Sequence, residues 1–314
     1  MAKKKSSLAK LVETKPVPET IDKKTISHSQ YTVYHNCPHQ WYLRYPGNIK
    51  PFTSTMNTVF GTAMHETLQE YLRVMYTESG TAADKMNLEI YLHDRMFDNY
   101  ELELIKNNGE HFSNLDEMRE FFDDGVQIIR FLKKKRKIFF SIKGVELLGI
   151  EIHIMQPTEG NPNVYFEGYI DMTIYDLDLD KVIIYDFKTS KKGWKDQYEK
   201  KDETKIDQIL WYKRYFSRQY EFPEEKIDVN FMILKRKIWE EAEWPQPRIS
   251  NFKPINGVMK MKKAIYNMDK FVEECFTPEG EYNLEREFLK TPSEKSCKFC
   301  PFNNDETLCN KKNL

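Results

Sequence analysis

The chain has 314 residues, of which 40% are hydrophobic and 31% charged, and its formal net charge at neutral pH is −1. This composition is typical of a globular protein with a sizeable core, and it excludes a disordered or fibrous chain. The near-zero charge excludes a uniformly basic nucleic-acid-binding surface, so any contact with phosphate would require local basic patches. No apolar run approaches the roughly 20 residues that a membrane-spanning helix requires.

Residues 1–26 begin with a basic stretch but lack the apolar segment of a signal peptide, and we expect them to form a flexible tail. The expected location is therefore the cytoplasm, either of a bacterium or, for a viral protein, of its host. In a reducing cytoplasm cysteines favour metal or cluster ligation over disulfides. The chain has five: Cys37, Cys275, Cys297, Cys300 and Cys309.

The first half of the chain has the pattern of α-helices. Ser27 or Ser29 can cap a helical segment that ends at Pro46 and Gly47. The spacing of apolar residues predicts helices over 59–75 and 113–138, with a further helical stretch near 84–107. Together these segments predict an N-terminal helical region over residues 27–140.

The pattern then changes to that of β-strands. β-Branched and aromatic residues predict strands over 145–155, 164–175 and 182–188, and residues 176–180 form a hairpin loop. A helix over 204–220, a strand over 229–235 and a helix over 255–275 follow. This order predicts a mixed α/β core over residues 141–275 and a Cys-bearing C-terminal tail over 276–314.

Two acidic residues and a lysine fall on neighbouring predicted strands. Asp186 and Lys188 are two residues apart, so they share one face of a strand, and the strand register can bring Asp171 to the same face. Burying these charges is costly unless they are paired or bind a cation. Their oxygen ligands suit Mg²⁺ or Mn²⁺, which can polarise a phosphoryl oxygen and supply hydroxide. The alternative is a structural salt bridge, which usually explains a lone Asp-x-Lys pattern.

Further motifs accompany this trio in a fixed order: His65, Gly168-x-x-Asp171, Asp186-x-Lys188 and Gln208-x-x-x-Tyr212. This set resembles the RecB-like branch of the PD-(D/E)XK nuclease superfamily, which includes the RecB and AddB exonuclease domains and the CRISPR-associated cluster-bearing nucleases. The resemblance extends over residues 27–310. It implies a restriction-endonuclease-like α/β core, with a mixed central sheet flanked by helices, an N-terminal helical cap and a Cys-rich C-terminal tail.

The resemblance also assigns a role to each motif residue. It implies Lys188 as the catalytic lysine, beside the carboxylates. Gln208 and Tyr212 lie four residues apart on one helix face, and the resemblance implies that they position DNA and support the site. For Tyr212 a place in the core is the alternative, and Glu151 on the preceding strand is more simply explained as an exposed residue. The implied ligands of Mg²⁺ or Mn²⁺ are His65, Asp171, Asp186 and the main-chain carbonyl of Phe187.

An iron–sulfur cluster is a further implication of the resemblance. In AddB-like nucleases a cysteine before the first motif joins three cysteines from the C-terminal end, and four thiolates can hold a [4Fe–4S] cluster. The C-terminal spacing here is C-x₂-C-x₈-C, which departs from the usual C-x₂-C-x₅-C, and four thiolates also suit structural Zn²⁺. His35 and His39 are less favoured ligands, and Cys275 is predicted to be a buried small hydrophobic residue. The implied cluster ligands are Cys37, Cys297, Cys300 and Cys309.

Basic residues just after the motif lysine are the predicted DNA contacts. Lys191, Lys192 and Lys195 can contact phosphates, and Trp194 among them can stack on unpaired bases. Other basic clusters, at residues 235–237 and 260–263, are less favoured because they do not directly follow Lys188.

The activity that the resemblance implies is a single-strand-preferring DNA exonuclease, or a flap- or end-processing nuclease, acting in recombination, repair or DNA processing. Its expected partner is DNA that is single-stranded or has free ends. The chain has no GxxxxGK[ST] motif, so a helicase or recombination protein would be a separate partner. The alternatives are a non-catalytic DNA-binding or assembly module of the same fold and a site-specific endonuclease. The first predicts an eroded catalytic position.

Overall fold

The computed structural model describes residues 5–239, 241–244, 246–303 and 305–309. The chain divides into two compact units. The first unit contains the chain up to Pro16 together with Ser54–Ile152 and Tyr169–Gly257, and the second contains Val17–Thr53, His153–Gly168 and the chain from Val258 onward. This interleaved division differs from the consecutive segments expected from the sequence.

The described residues form six strands, which make one mixed sheet. They are β1 (Lys24–Ile26), β2 (Val145–Pro157), β3 (Val164–Asp176), β4 (Lys181–Ser190), β5 (Ile227–Lys235) and β6 (Ile249–Phe252). β3 and β4 are an antiparallel hairpin, β4 and β5 are parallel, and β5 and β6 are antiparallel. β2 pairs with β3. The mixed sheet and the turn between β3 and β4 confirm the predicted fold class and hairpin.

Ten α-helices occur in the part of the chain that the structure describes. Those of the first unit are α1 (Ser7–Thr14), α4 (Met56–Thr77), α5 (Gly80–Lys85), α6 (Leu88–Lys106), α7 (Leu115–Phe139) and α8 (Glu203–Tyr220). Those of the second unit are α2 (His28–Asn36), α3 (Pro38–Arg44), α9 (Val258–Cys275) and α10 (Glu294–Cys297). Among the described residues, no helix is long and apolar enough to cross a membrane.

The core of the first unit lies between one face of the sheet and the helices α4, α6 and α7. Tyr185 and Phe187 of β4 contribute to this core with Met232 and Leu234 of β5. Because side chains alternate along a strand, Asp186 and Lys188 lie on the opposite face. Close helix packing depends on Gly125 of α7, where a Cβ would lie 2.5 Å from Leu92 Cδ2.

Two sequence-based expectations in the N-terminal part are wrong. Residues 1–26 do not form a simple flexible tail, because the described part contains α1, with Leu8 and Ala9 buried, and β1, which pairs with β3. The helical segment after Ser27 consists of two helices that meet at Cys37. Cys37 precedes Pro38, and the proline ring disfavours the helical conformation of the residue before it. The remaining predicted helices and strands are present, with shifted ends.

The second unit has an aromatic core around Trp41, whose side chain is fully buried. The rings of Phe271, Phe276 and Phe288 pack around it with centroid distances of 5.2 to 6.1 Å. Cys275 at the end of α9 is also fully buried, which confirms its prediction as a small hydrophobic residue. This core holds α3 and α9 together.

Candidate active site

The β3–β4 hairpin brings the two motif aspartates together. Met172 pairs with Tyr185, and Asp171 and Asp186 are the next residues beyond this pair on their strands. The Phe187 N–H donates a short hydrogen bond to Asp171 Oδ2, which fixes that carboxylate against β4. Asp186 is 2% exposed, so its carboxylate lies almost wholly inside the protein.

Lys188 lies between Asp186 and helix α8. Its Nζ is 2.8 Å from Asp186 Oδ2 and donates hydrogen bonds to Asp186 Oδ1 at 3.1 Å and Gln208 Oε1 at 2.8 Å. Gln208 Nε2 in turn donates to the Tyr212 hydroxyl at 3.3 Å. Tyr212 is 6% exposed, so it belongs to the core as well as to this chain of contacts.

Helix α4 places His65 beside the hairpin. His65 Nδ1 lies 3.3 Å from Asp171 Oδ1, and the His65 ring meets the Phe187 ring edge-on at a centroid distance of 5.9 Å. The structure therefore brings together all the motif side chains that the sequence predicted for the site: His65, Asp171, Asp186, Lys188, Gln208 and Tyr212.

Burial and charge act against each other in this site. Burial raises the pKa of Asp186 to about 6, although Lys188 opposes this rise. Burial also disfavours the charged form of Asp171, but His65, Lys188 and the Phe187 N–H hold its pKa below the ordinary value. For His65, burial lowers the pKa, and the Asp171 carboxylate outweighs burial so that the net shift is upward. Opposed shifts of this kind are typical of functional sites.

Two residues that are not part of the motif set, Gln69 and Glu151, also adjoin the site. Gln69 Nε2 donates a short hydrogen bond to Glu151 Oε1 and a second one, at 3.3 Å, to the main-chain carbonyl of Asp171. Gln69 follows His65 by four residues on α4, and this spacing is the one sequence signal that could have identified it. Glu151 is exposed, as its sequence context indicated, but it is also bonded to Gln69.

A protein-family model matches most of the chain. The model of the PD-(D/E)XK nuclease superfamily matches residues 25–304. The chain belongs to this superfamily. It is therefore a nuclease by family, and members of the superfamily generally use divalent metal ions.

Comparison with individual proteins adds little to this assignment. No curated protein matches the chain. One similar solved structure is that of a candidate exonuclease from Eubacterium rectale, which is 13% identical. The match covers 80% of this chain and 79% of the other, with a TM-score of 0.44.

The candidate active site fits a hard divalent cation by its donor chemistry. Asp186 Oδ2 is buried and receives no hydrogen bond of good geometry among the described residues, although Lys188 Nζ is near it. A buried carboxylate oxygen without a hydrogen bond is costly, and a cation would satisfy it. Among the described residues, no group of three or more His, Cys, Asp or Glu side chains is arranged closely enough to hold a metal ion.

Four cysteines of this nuclease border one cavity of the second unit, which has a volume of about 590 Å³. They are Cys37, Cys297, Cys300 and Cys309. Burial raises the pKa of Cys300, and the other three thiols add to this rise. His39 also borders the cavity, where its Nε2 donates to the Leu308 carbonyl at 2.9 Å. This bond ties the segment before Cys309 to α3.

The predicted DNA-binding residues follow directly after β4. Lys191, Lys192 and Lys195 are exposed. Trp194 is only partly exposed, because its ring packs on Phe231 and Phe252 at centroid distances of 4.9 and 6.1 Å. The lysines therefore have the accessibility that a phosphate contact requires, whereas the indole is committed in part to the protein.

Proposed function

We propose that the chain is a Mg²⁺- or Mn²⁺-dependent deoxyribonuclease that hydrolyses phosphodiester bonds. The observation that carries this proposal is the buried Asp186 carboxylate in contact with Lys188, beside the His65–Asp171 pair. Membership of a nuclease superfamily supports it. A structural salt bridge explains the contact between Asp186 and Lys188, but it does not explain why a histidine and a second carboxylate lie next to it.

Each residue of the site has a distinct task in the proposed reaction. His65, Asp171, Asp186 and the Phe187 carbonyl would hold the cation, which would supply Lewis-acid activation of the phosphodiester and of the attacking water. Lys188 supplies a positive charge that stabilises the negative transition state or orients the attacking water. Gln208 accepts a hydrogen bond from Lys188 and thereby fixes the ammonium. Because Gln208 Nε2 donates to Tyr212, the oxygen end of the carboxamide faces the lysine.

The proposed substrate is DNA that is single-stranded or has free ends. The proposed type of enzyme is a RecB-like exonuclease. The order of the motifs His65, Asp171, Asp186-x-Lys188 and Gln208-x-x-x-Tyr212 supports the type. The exposed lysines at 191, 192 and 195 support the substrate because they lie just beyond Lys188. A separate helicase or recombination protein would supply the strand during recombination, repair or DNA processing.

A nuclease assay on two matched variants tests this proposal. The substrates are a linear labelled single strand, its circular form, a duplex and an RNA of the same sequence, with Mg²⁺ or Mn²⁺. We expect Asp186→Asn to reduce hydrolysis of the linear strand by about a hundredfold or more. Asp228→Asn is the control, since Asp228 is on the adjacent strand β5 and pairs with Lys181. An inactive wild-type protein, or an active Asp186→Asn protein, contradicts the proposed function. Cleavage of the circular strand contradicts an exonuclease.

We further propose that Cys37, Cys297, Cys300 and Cys309 hold a [4Fe–4S] cluster. Their placement around one cavity supports this assignment. Four thiolates also suit structural Zn²⁺, and the cluster is preferred because the resemblance implies it and because Cys37 is distant in sequence from the other three cysteines. Because Cys37 is far from the other three in sequence, the cluster would tie the ends of the second unit together and stabilise its fold.

Anaerobic purification followed by absorbance spectroscopy and metal analysis tests the cluster. We expect a broad absorbance at about 400 nm and about four irons per chain, as thiolate-ligated clusters show. Stoichiometric zinc with no iron contradicts the cluster, and it leaves the proposed nuclease activity untouched because the two sites lie in different units.

A further inference from the structure

Glu151 adopts a backbone conformation that is unusual inside a strand. Its φ is +50°, although β2 continues on both sides of it. A residue with a Cβ is disfavoured in this left-handed region, so the conformation costs stability. Strained residues of this kind persist where surrounding contacts hold them, and they cluster at functional sites.

The side chain of Glu151 contacts the active site through Gln69. Gln69 Nε2 donates to Glu151 Oε1 and, at 3.3 Å, to the main-chain carbonyl of Asp171. Gln69 is 6% exposed, so water has little access to compete for its amide. The amide therefore links β2 to β3 at the residue that carries one of the proposed metal-binding carboxylates.

Gln69 and His65 contact Asp171 from the same helix face. They are four residues apart on α4, which places them one above the other. His65 Nδ1 approaches the Asp171 carboxylate, at 3.3 Å, and Gln69 holds the Asp171 carbonyl. The orientation of Asp171 relative to His65 is thus set at two points, and Glu151 orients the amide that forms the second.

We infer that Glu151 is a positioning residue that holds Gln69 against Asp171 and thereby fixes the His65–Asp171 pair for metal binding. This inference rests on the proposed function and adds to it a residue that lies outside the motif set. Glu151 acts through a hydrogen bond that its carboxylate accepts, and the strained backbone is maintained because it directs the side chain toward Gln69.

The test compares Mn²⁺ binding, thermal unfolding and single-turnover hydrolysis in variants of Glu151, Gln69 and Glu221. Mn²⁺ affinity is measured on the free protein by electron paramagnetic resonance, without DNA. Glu151→Gly removes both the side chain and the strain, and Glu151→Gln keeps an accepting oxygen but removes the charge. Glu221→Gly is the matched control, because Glu221 is also a glutamate with positive φ, +52°, at the end of α8.

We expect Glu151→Gly to weaken Mn²⁺ binding by about tenfold, the lower end of the effect seen for partners of metal ligands. Its unfolding temperature should change little, since relief of strain offsets the lost hydrogen bond. Glu221→Gly should raise the unfolding temperature and leave Mn²⁺ binding and hydrolysis at wild-type values. Glu151→Gln should bind Mn²⁺ within about twofold of wild type, because a carbonyl oxygen can accept the same bond.

Three results would overturn the inference. Wild-type Mn²⁺ affinity in Glu151→Gly means that the contact has no positioning effect. An equal loss in Glu151→Gly and Glu151→Gln means that Glu151 acts by its charge alone. Additive losses in the double variant of Glu151→Gly and Gln69→Met mean that the two residues act independently, whereas a shared contact gives a double variant no weaker than Gln69→Met.

Failure of this inference can be distinguished from failure of the proposed function. If the wild-type protein hydrolyses DNA and all Glu151 variants bind Mn²⁺ equally, the inference fails and the nuclease assignment stands. If the wild-type protein binds Mn²⁺ but hydrolyses no nucleic acid, the proposed function fails, and the Mn²⁺ affinities still decide the role of Glu151.

Discussion

The Lys188 ammonium donates a hydrogen bond to Gln208 Oε1 at 2.8 Å, and this contact joins strand β4 to helix α8 at the candidate active site. Gln208 is not charged, and its carboxamide bonds to Lys188 and Tyr212, so we expect any contribution to the reaction to act through the lysine. The position of the ammonium relative to Asp186 therefore depends on a residue 20 positions later in the chain.

We predict that Gln208→Met lowers the single-turnover rate by about tenfold or more, because a hydrogen bond to a charged group contributes about 1.5–3 kcal/mol. Mn²⁺ affinity should change less, since the Gln208 carboxamide bonds to Lys188 and Tyr212 rather than to a proposed metal ligand. The control is Gln127→Met on the exposed side of α7. A selective loss of metal affinity with a wild-type rate would assign Gln208 to metal binding instead.

Cys300→Ser and Cys275→Ser should have different consequences although the two substitutions are identical. Cys300 borders the cysteine cavity, and we predict that its loss removes iron and lowers the unfolding temperature of the protein. Cys275 is fully buried among apolar residues, so a serine there should lower stability by about 1–3 kcal/mol while the iron content is retained. Iron analysis and thermal unfolding measure both effects. Equal iron in both variants would place Cys300 outside the ligand set.

Much of the site could be predicted because local geometry determines it. Asp186 and Lys188 share a strand face by the two-residue period, and the short turn at 177–180 sets the register that brings Asp171 beside them. Gln208 and Tyr212 follow from helix spacing in the same way. These relationships depend on residues close in sequence, or on one hairpin, so pattern and spacing are sufficient.

Other features depend on contacts that no local pattern contains. Glu151 meets Gln69 across 82 positions, and its positive φ inside a strand has no signal in the sequence. Trp194 lies among lysines, a pattern that indicates an exposed ring, yet it packs on the aromatic residues of β5 and β6. The N-terminal helix α1 packs against α8, which is far from it in sequence, and a basic, Pro-containing segment gives no indication of this docking.

A buried ion pair connects α7 with the end of β5. Arg236 Nη1 lies 3.3 Å from Asp124 Oδ2, and the Arg236 guanidinium carbon lies 3.5 Å from the centre of the Phe121 ring. Both charged side chains are at most 8% exposed. We predict that Asp124→Ala destabilises the protein by about 3 kcal/mol, because it leaves the guanidinium buried without its partner.

Denaturant unfolding measures this loss, and Asp123→Ala on the exposed side of the same helix is the control. The double variant of Asp124→Leu and Arg236→Met should lose less stability than Asp124→Ala, since it buries no unpaired charge. Because Lys237 Nζ also lies 3.0 Å from Asp124 Oδ1, part of the loss belongs to that second pair. A loss below about 1 kcal/mol in Asp124→Ala would mean that water reaches the guanidinium.

Because Lys213 is buried, we expect the free energy of unfolding to vary with pH in the alkaline range. Lys213 is 4% exposed on α8, and its Nζ donates to the Asn256 carbonyl at 3.2 Å and to Asn256 Oδ1 at 3.0 Å. Burial lowers the pKa of Lys213 below 10.5. Of the charged groups around it, Lys181 adds to this shift, and the carboxylates oppose it: Glu224, Asp228 and Glu225.

The sign of the effect follows from proton binding. Between the lowered pKa in the folded state and 10.5, the unfolded chain binds more protons than the folded chain, so the contribution of Lys213 to stability rises with pH. The stability of Lys213→Met relative to wild type should therefore fall as pH rises from about 7 toward that range. Urea unfolding across this pH range measures the difference, with Lys262→Met on the exposed face of α9 as the control for losing one lysine. An equal slope in the two variants would show that the Lys213 ammonium incurs no burial cost in the folded state.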